Sequence, residues 1–352
     1  MINYCVGIDV SKDHFHTAIC TKDDWDLKFS NITKWDNDKT GFKEFLKWVK
    51  QQVPKGSDVH FLMEATGVYH EKLSYCLYEK SHIVHIVLPN TSKHYFQSLN
   101  VKSKTDEIDA RVLSQFGVER KHPVWEPPKP LYLKLRDLTR YKVQLQKQKN
   151  GLSNIGHSKE HSAQVDPLIS RANKRLIRQL DKEIGLIKKE IEKHISSDPE
   201  LNEKIRKICT IKGCGIQTAA GVIGETNGFQ HFKSMKQLAS YAGYDVVQHQ
   251  SGTSVAKRGR ISKKGNKYIR AALYLPALSA SRNCPELADK YKSLVDRNKI
   301  KMKGQVAVQR KLLLLIYTLW KSGQEYIPGY AKNKVAKANA PATQDSTVVA
   351  LP

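Results

Sequence analysis

The chain has 352 residues, with 59 Lys and Arg against 34 Asp and Glu, a formal net charge of +25. Its 40% hydrophobic content is enough to bury a core, which excludes a disordered basic tail, and its length implies two or three domains. A polyanion is the expected partner, and no apolar run of about 18 residues offers a membrane span.

The segment MINYCVGIDVSKD carries an early acid and no basic-then-apolar leader pattern, so the chain is expected to reside in the cytoplasm. Residues 4–20 read as a strand opening a sheet, with Val6, Ile8 and Val10 on one face and Asp9 on the other. A turn at 23–26 and a returning strand in LKFSNIT follow. Helical spacing of Phe42, Phe45, Leu46 and Val49 predicts a helix over 41–53. Beyond it come a strand over 58–66, a helix in YHEKLSYCLYEK, a strand over 83–89 and a helix over 104–121. A hairpin followed by alternating helix and strand implies a mixed sheet covered by helices, an α/β domain of about 120 residues.

Four prolines in HPVWEPPKP, residues 122–130, break this pattern. Two long apolar stripes come next: Leu131, Leu135, Leu138 and Leu145, then Leu176, Leu180, Ile184, Ile187 and Ile191. Their spacing predicts a pair of long helices, a coiled-coil arm closed either within the chain or between copies. From about 204, IRKICTIKGCGIQTAAGVIGET joins two short helices through Gly213-Cys214-Gly215. This is helix-hairpin-helix-like, a turn suited either to holding a phosphate or to plain αα packing. Core helices in GNKYIRAALYLPALSASR and GQVAVQRKLLLLIYTLWKSG complete a mainly α domain. The expected division is 1–122, 123–203, 204–330, and a disordered tail over 331–352. Cys5, Cys20, Cys76, Cys209, Cys214 and Cys284 form no CxxC pair and read as reduced packing residues.

Four carboxylates stand where strands end or helices begin: Asp9, Glu64, Asp106 and Asp109, the last two on one helical face. Singly, Asp9 reads as a turn cap and Asp106 as a helix cap. Gathered together they require a cation, and hard oxygen donors suit Mg²⁺ or Mn²⁺. Two such ions can stabilise the attacking and leaving oxygens of a phosphodiester displacement.

GIDVSKDHF, MEATGVYH and KTDEIDARVLSQF together resemble the DEDD motif of a family of insertion-sequence transposases related to the Piv-type DNA invertases. IKGCGIQTAAGVIGE, YAGYDVVQHQSG and GRISKKGNKYIRAAL are similar to that family's C-terminal transposase domain, so the likeness runs from about residue 4 to about 325. The resemblance implies a RuvC/RNase H-like first domain in which Asp9, Glu64, Asp106 and Asp109 bind metal. It also implies a transposase or site-specific recombinase whose serine in the SG pair, Ser251, links covalently to DNA at a site shared with the acidic domain. Ser254 and Ser262 are lesser candidates. The absence of a P-loop fits strand rejoining without ATP.

Lys257, Arg258, Arg260, Lys263, Lys264, Lys267 and Arg270 follow with no acid among them, an expected nucleic-acid contact acting through phosphates. No helix-turn-helix or zinc finger offers base readout. The resemblance assigns target choice to a structured non-coding guide RNA that pairs with donor and target DNA, and the helical arm implies a homo-oligomer, dimer or tetramer, at the nucleoid. Three other readings stand: a RuvC-type junction-resolving endonuclease, a Piv-type invertase, and a non-enzymatic nucleic-acid scaffold.

Overall fold

The computed structural model describes residues 3–23, 26–65, 67–101, 103, 105–164, 166–251 and 255–328, with backbone alone at 248–251 and 255–258. The expected tail at 331–352 and Ser254 lie outside these residues. Chain contacts divide the protein into two compact units, Met1–Pro127 and Pro128–Pro352, and the long helical pair belongs to the second.

The first unit opens with β1 (Tyr4–Val10) and β2 (His14–Asp23). The single strand expected over 4–20 is therefore two, because Ser11 turns the chain: its Oγ donates to the His14 carbonyl at 2.6 Å. Short strands β3 (Asp26–Phe29) and β4 (Thr33–Asp36) follow, both pairing with β2. Then come α1 (Lys39–Gln52), β5 (Val59–Glu64), α2 (Glu71–Glu79), β6 (Ile83–Val87), α3 (Pro89–Ser98) and α4 (Asp106–Glu119). The sheet order is β3-β2-β1-β5-β6, antiparallel from β1 outward through β2 and parallel from β1 through β5 to β6.

Side chains alternate across the sheet, so each strand feeds two cores. Val6, Ile8, Val10, Phe15, Phe61 and Met63 pack on one side with Phe42 and Phe45 of α1 and Leu73 and Leu77 of α2. Cys5, Cys20 and Leu62 pack on the other with Val112, Leu113 and Phe116 of α4. Each such buried side chain contributes about 1.5–3 kcal/mol. Asp38 starts α1 by accepting from the Thr40 and Gly41 amides, and Thr105 starts α4 by accepting from Ile108 N. The cap of α4 is thus Thr105, which leaves the Asp106 carboxylate available for other contacts.

The second unit begins with α5 (Pro130–Glu160) and α6 (Pro167–Ser196), helices of 31 and 30 residues. They run antiparallel within one chain: Lys134 meets Glu190 at 2.9 Å, Lys149 meets Asp181 at 2.5 Å, and Asn173 donates to the Leu152 carbonyl at 2.9 Å. Leu135, Leu145, Ile184 and Ile191 are buried as their stripes require, whereas Leu176, toward the tip, is half exposed. Then follow α7 (Pro199–Ile208), α8 (Ile216–Glu225), α9 (Met235–Tyr241), β7 (Val246–Ser251), β8 (Val255–Ile261), α10 (Lys267–Asn283), α11 (Pro285–Asn298) and α12 (Lys301–Ser322). Their apolar faces form one core around Ile205, Ala219, Ile223, Leu273, Leu312 and Ile316. In the turn between α7 and α8, Gly213 has φ +95° and packs so tightly on α10 that a Cβ would lie 2.8 Å from Ala280 N. All six cysteines are free. Among the described residues no helix is long and apolar enough to cross a membrane.

Candidate active site

Two glycines decide where the acids go. A Cβ on Gly7 would overlap the Ala110 carbonyl and Ser114 amide of α4, and one on Gly117 would overlap Cys5 Sγ. Helix α4 therefore lies directly on β1 and runs against it, residue 117 over residue 5 and residues 110–114 over residue 7. One further turn toward the helix start, at 1.5 Å rise per residue, brings Asp106 and Asp109 to the level of Asp9. Strand parity places Asp9 on the same face as Cys5 and Gly7, and Glu64 on the same face as Leu62. Because Ile8 pairs with Met63 in parallel register, Asp9 and Glu64 are the next residues on adjacent strands. All four acids thus belong to the α4 side of the sheet, at the carboxyl ends of β1 and β5.

The surroundings favour negative charge there. Asp106, Glu107 and Asp109 fill the first turn of α4, where the helix dipole is positive. Ser92 of α3 donates to Glu64 Oε2 at 2.6 Å, orienting that carboxylate. Asp9, Glu64 and Asp109 are half-buried and Asp106 is exposed, a gradient from core to solvent. Hard oxygen donors of this kind suit a divalent cation such as Mg²⁺, although among the described residues Asp106 alone of the four belongs to a group of three donors within 4.8 Å of one another. Such an ion would supply charge neutralisation at a bound phosphodiester.

Two histidines that the sequence reading passed over join this edge. His16 is the direct cross-strand partner of Asp9, and His14 lies two residues along the same face of β2. Asp106 Oδ2 lies 3.7 Å from His16 Nδ1 and 4.0 Å from His14 Nε2. Burial lowers the His16 pKa below the ordinary imidazole value, and the Asp106 carboxylate partly opposes that shift. The signal was present as the alternating HFH of His14-Phe15-His16, in which Phe15 marks the core face.

In the second unit, the stretch around Ser251 is a β-hairpin, a form the sequence reading did not assign. Ser251 ends β7 and its Cα pairs with that of Val255; Gly252 and Ser254 fall outside the described residues. The strand backbones carry Lys257 and Arg258, whose side chains are likewise not described. Arg260, Lys263, Lys264 and Lys267 are exposed, as a phosphate contact requires. Arg270 is engaged elsewhere: its Nη1 donates to the Ala242 carbonyl at 2.8 Å and the Asn266 carbonyl at 3.3 Å. Ser262 is half-buried and its Oγ accepts from Lys264 N at 3.3 Å.

A buried carboxylate anchors the base of this hairpin. Glu225, 6% exposed at the end of α8, accepts from Arg140 Nε and Nη2 at 2.6 and 2.8 Å and from Asn266 Nδ2 at 2.6 Å. Asn266 also caps α10 through the Tyr268 and Ile269 amides. One acid therefore ties α5, α8 and the start of α10 together just beyond the basic segment. Its sequence signal is a lone charge closing the apolar run IQTAAGVIGE. Beside it, a groove of about 940 Å³ is lined by Arg140, Lys142, Lys188, Gln217 and Tyr268, among others. Burial, with Lys188 adding repulsion, pushes the Lys142 pKa down to about 8.

A DEDD-type transposase model of IS110 matches residues 6–157, and the model for the transposase IS116/IS110/IS902 family matches residues 205–292. The pilin gene-inverting protein of Moraxella lacunata is 30% identical over 322 residues, covering 91% of this chain and 97% of that protein, and its Moraxella bovis counterpart matches equally. A probable family 20 transposase of Pseudomonas aeruginosa is 26% identical over 113 residues, 32% of each chain. The Thermus thermophilus RuvC structure aligns with 35% of this chain and 99% of its own at 11% identity, with a TM-score of 0.27. The first unit is an α/β domain by its mixed sheet, and the DEDD-type transposase match covers it from residue 6 onward. Both halves match in order, and the inverting proteins match nearly end to end: the chain belongs to the IS110-type family of DEDD transposases and recombinases.

Proposed function

We propose that this recombinase cuts and rejoins the DNA of an insertion sequence using Mg²⁺ (or Mn²⁺) held by Asp9, Glu64, Asp106 and Asp109, with Ser251 as nucleophile. The observation that carries the reading is the seating of α4 on Gly7, which draws its two aspartates to the strand ends bearing Asp9 and Glu64. In the cleavage step Ser251 Oγ bonds to phosphorus, the bond from phosphorus to a deoxyribose oxygen breaks, the serine loses its proton and the leaving oxygen gains one. The phosphodiester energy is kept in the serine–DNA linkage, so the reverse step rejoins strands. A serine hydroxyl needs such activation to compete as a nucleophile.

The exposed Arg260, Lys263, Lys264 and Lys267 hold the DNA or RNA backbone, and the glycine turn between α7 and α8 adds a phosphate contact. Donor and target DNA are selected through a structured non-coding RNA, consistent with a net charge of +25 and no base-reading motif. Exposed Leu168, Ile169, Leu176 and Leu186 on α6 support a homo-oligomer, dimer or tetramer, joined through the arm. The protein works in the cytoplasm, at the nucleoid.

The test is recombination in vitro with element DNA, target DNA, RNA from the element's flank and Mg²⁺. Joined product that disappears with Asp9→Asn or EDTA supports the reading; product formed equally without RNA removes the guide from it. Cut but unjoined DNA favours a junction-resolving endonuclease instead. A second reading, site-specific inversion, is favoured by the 30% identity to the pilin gene-inverting proteins. It predicts that a segment between inverted sites is flipped without being lost from its donor.

A further inference from the structure

Of the four acids, Asp106 alone belongs to the tightest group of potential metal donors among the described residues. Among the described residues, His14, His16 and Asp106 form the one cluster of three or more His, Cys, Asp or Glu donors lying within 4.8 Å of one another. The two imidazoles stand edge to face, with ring centroids 5.4 Å apart and planes at 88°, so both present nitrogen to the same carboxylate oxygen. His16 Nδ1 and His14 Nε2 lie 3.7 and 4.0 Å from Asp106 Oδ2. A tetrahedral ion with bonds of about 2.1 Å places its ligands about 3.4 Å apart. The two histidine-to-carboxylate distances exceed that spacing by about 0.3 and 0.6 Å, and all three donors lie within 4.8 Å of one another. Exposures of 31%, 13% and 56% for the side chains of His14, His16 and Asp106 leave one side open for entry and for water.

Donor chemistry separates this group from its neighbours. Carboxylates alone suit Mg²⁺, whereas two imidazoles and one carboxylate suit borderline ions such as Zn²⁺, Co²⁺ or Fe²⁺. We propose that His14, His16 and Asp106 form a cation site for a first-row transition metal of the Zn²⁺ class, separate from the hard-oxygen position served by Asp9 and Glu64. The site shares Asp106 with the recombinase reading but does not depend on it, because it is defined by binding and not by strand transfer. Its strand supplies both imidazoles from adjacent same-face positions, so the site is preorganised by the β1–β2 pairing rather than by a loop.

The experiment is titration of the metal-free full chain with Co²⁺ under saturating Mg²⁺, read by visible absorption of the bound ion, with displacement by Zn²⁺. The wild type is expected to bind one Co²⁺ that Mg²⁺ does not displace. His16→Ala and His14→Ala should each weaken that binding at least tenfold, with circular dichroism confirming an intact fold and His16→Gln serving as the milder variant. Asp9→Asn should keep the Co²⁺ signal while losing strand cleavage, so failure of the recombinase reading leaves this result untouched. Wild-type Co²⁺ affinity in both histidine variants, easy displacement by Mg²⁺, or equal loss in Asp9→Asn would each overturn the site.

Discussion

Replacing Gly7 by alanine tests the packing that assembles the acids. A Cβ there would overlap backbone atoms of Ala110 and Ser114 and lie 2.8 Å from Leu113 C, where ordinary contact starts at 3.4 Å. Nothing flexible can yield, because every obstructing atom is helix backbone. Helix α4 must retreat by roughly 1 Å, and a misplacement of that size at reacting groups costs about 100-fold in rate. Overpacking also destabilises by about 1–3 kcal/mol, a loss that leaves the domain folded. Gly117→Ala is the control: its obstruction is Cys5 Sγ, so adding Cys5→Ala should restore most of the stability and activity, whereas the same addition does not rescue Gly7→Ala. Thermal melts and Mg²⁺-dependent cleavage of element DNA provide the readouts. A folded Gly7→Ala protein with wild-type cleavage would refute the argument that α4 sets the site.

Three further outcomes follow from the second unit. Glu225→Ala leaves Arg140, whose side chain is 39% exposed, without its bidentate partner and should cost about 1–3 kcal/mol in urea unfolding; no measurable loss would show that the network does not anchor the hairpin base. Lys142 has a folded pKa of about 8 against an ordinary 10.5, so the unfolded chain binds more protons between those values and stability rises with pH across that window. The penalty is present in full below pH 8, so Lys142→Met should stabilise at pH 7 by no more than about 3 kcal/mol, and the advantage should vanish above pH 10.5; an advantage independent of pH would contradict the assignment. Removing Arg260, Lys263, Lys264 and Lys267 together should flatten the salt dependence of DNA binding by about 0.9 for each phosphate no longer neutralised, and an unchanged slope would place the backbone interaction elsewhere.

The strands and helices of the first unit were legible because Val6, Ile8 and Val10, then Phe42, Phe45 and Val49, mark their periods without interruption. The acids were legible for the same reason: Asp9 sits out of phase with its apolar neighbours, and Asp106 and Asp109 share a helical face. What the sequence hid was tertiary. The turn at Ser11 depends on a side-chain hydrogen bond that no periodicity reports, so two strands read as one. His14 and His16 gained meaning only once β2 was paired beside Asp9. The hairpin of β7 and β8 was masked by its charge, since a run of lysines and arginines lacks the apolar alternation by which strands are recognised. The antiparallel closure of α5 on α6 was open because an apolar stripe does not choose its partner; Asn173 and the two cross-helix ion pairs join the two helices within one chain.

The proposed mechanism has Ser251, at the end of β7, attack DNA under the control of carboxylate-bound metal. The most direct measurement is mass spectrometry of the peptide left attached to DNA after a denatured reaction with Mg²⁺. A nucleotide-bearing peptide modified at Ser251 is expected, absent from Ser251→Ala, from Asp9→Asn and from reactions in EDTA. Cleaved DNA with no attached peptide, or attachment at another residue, would contradict it.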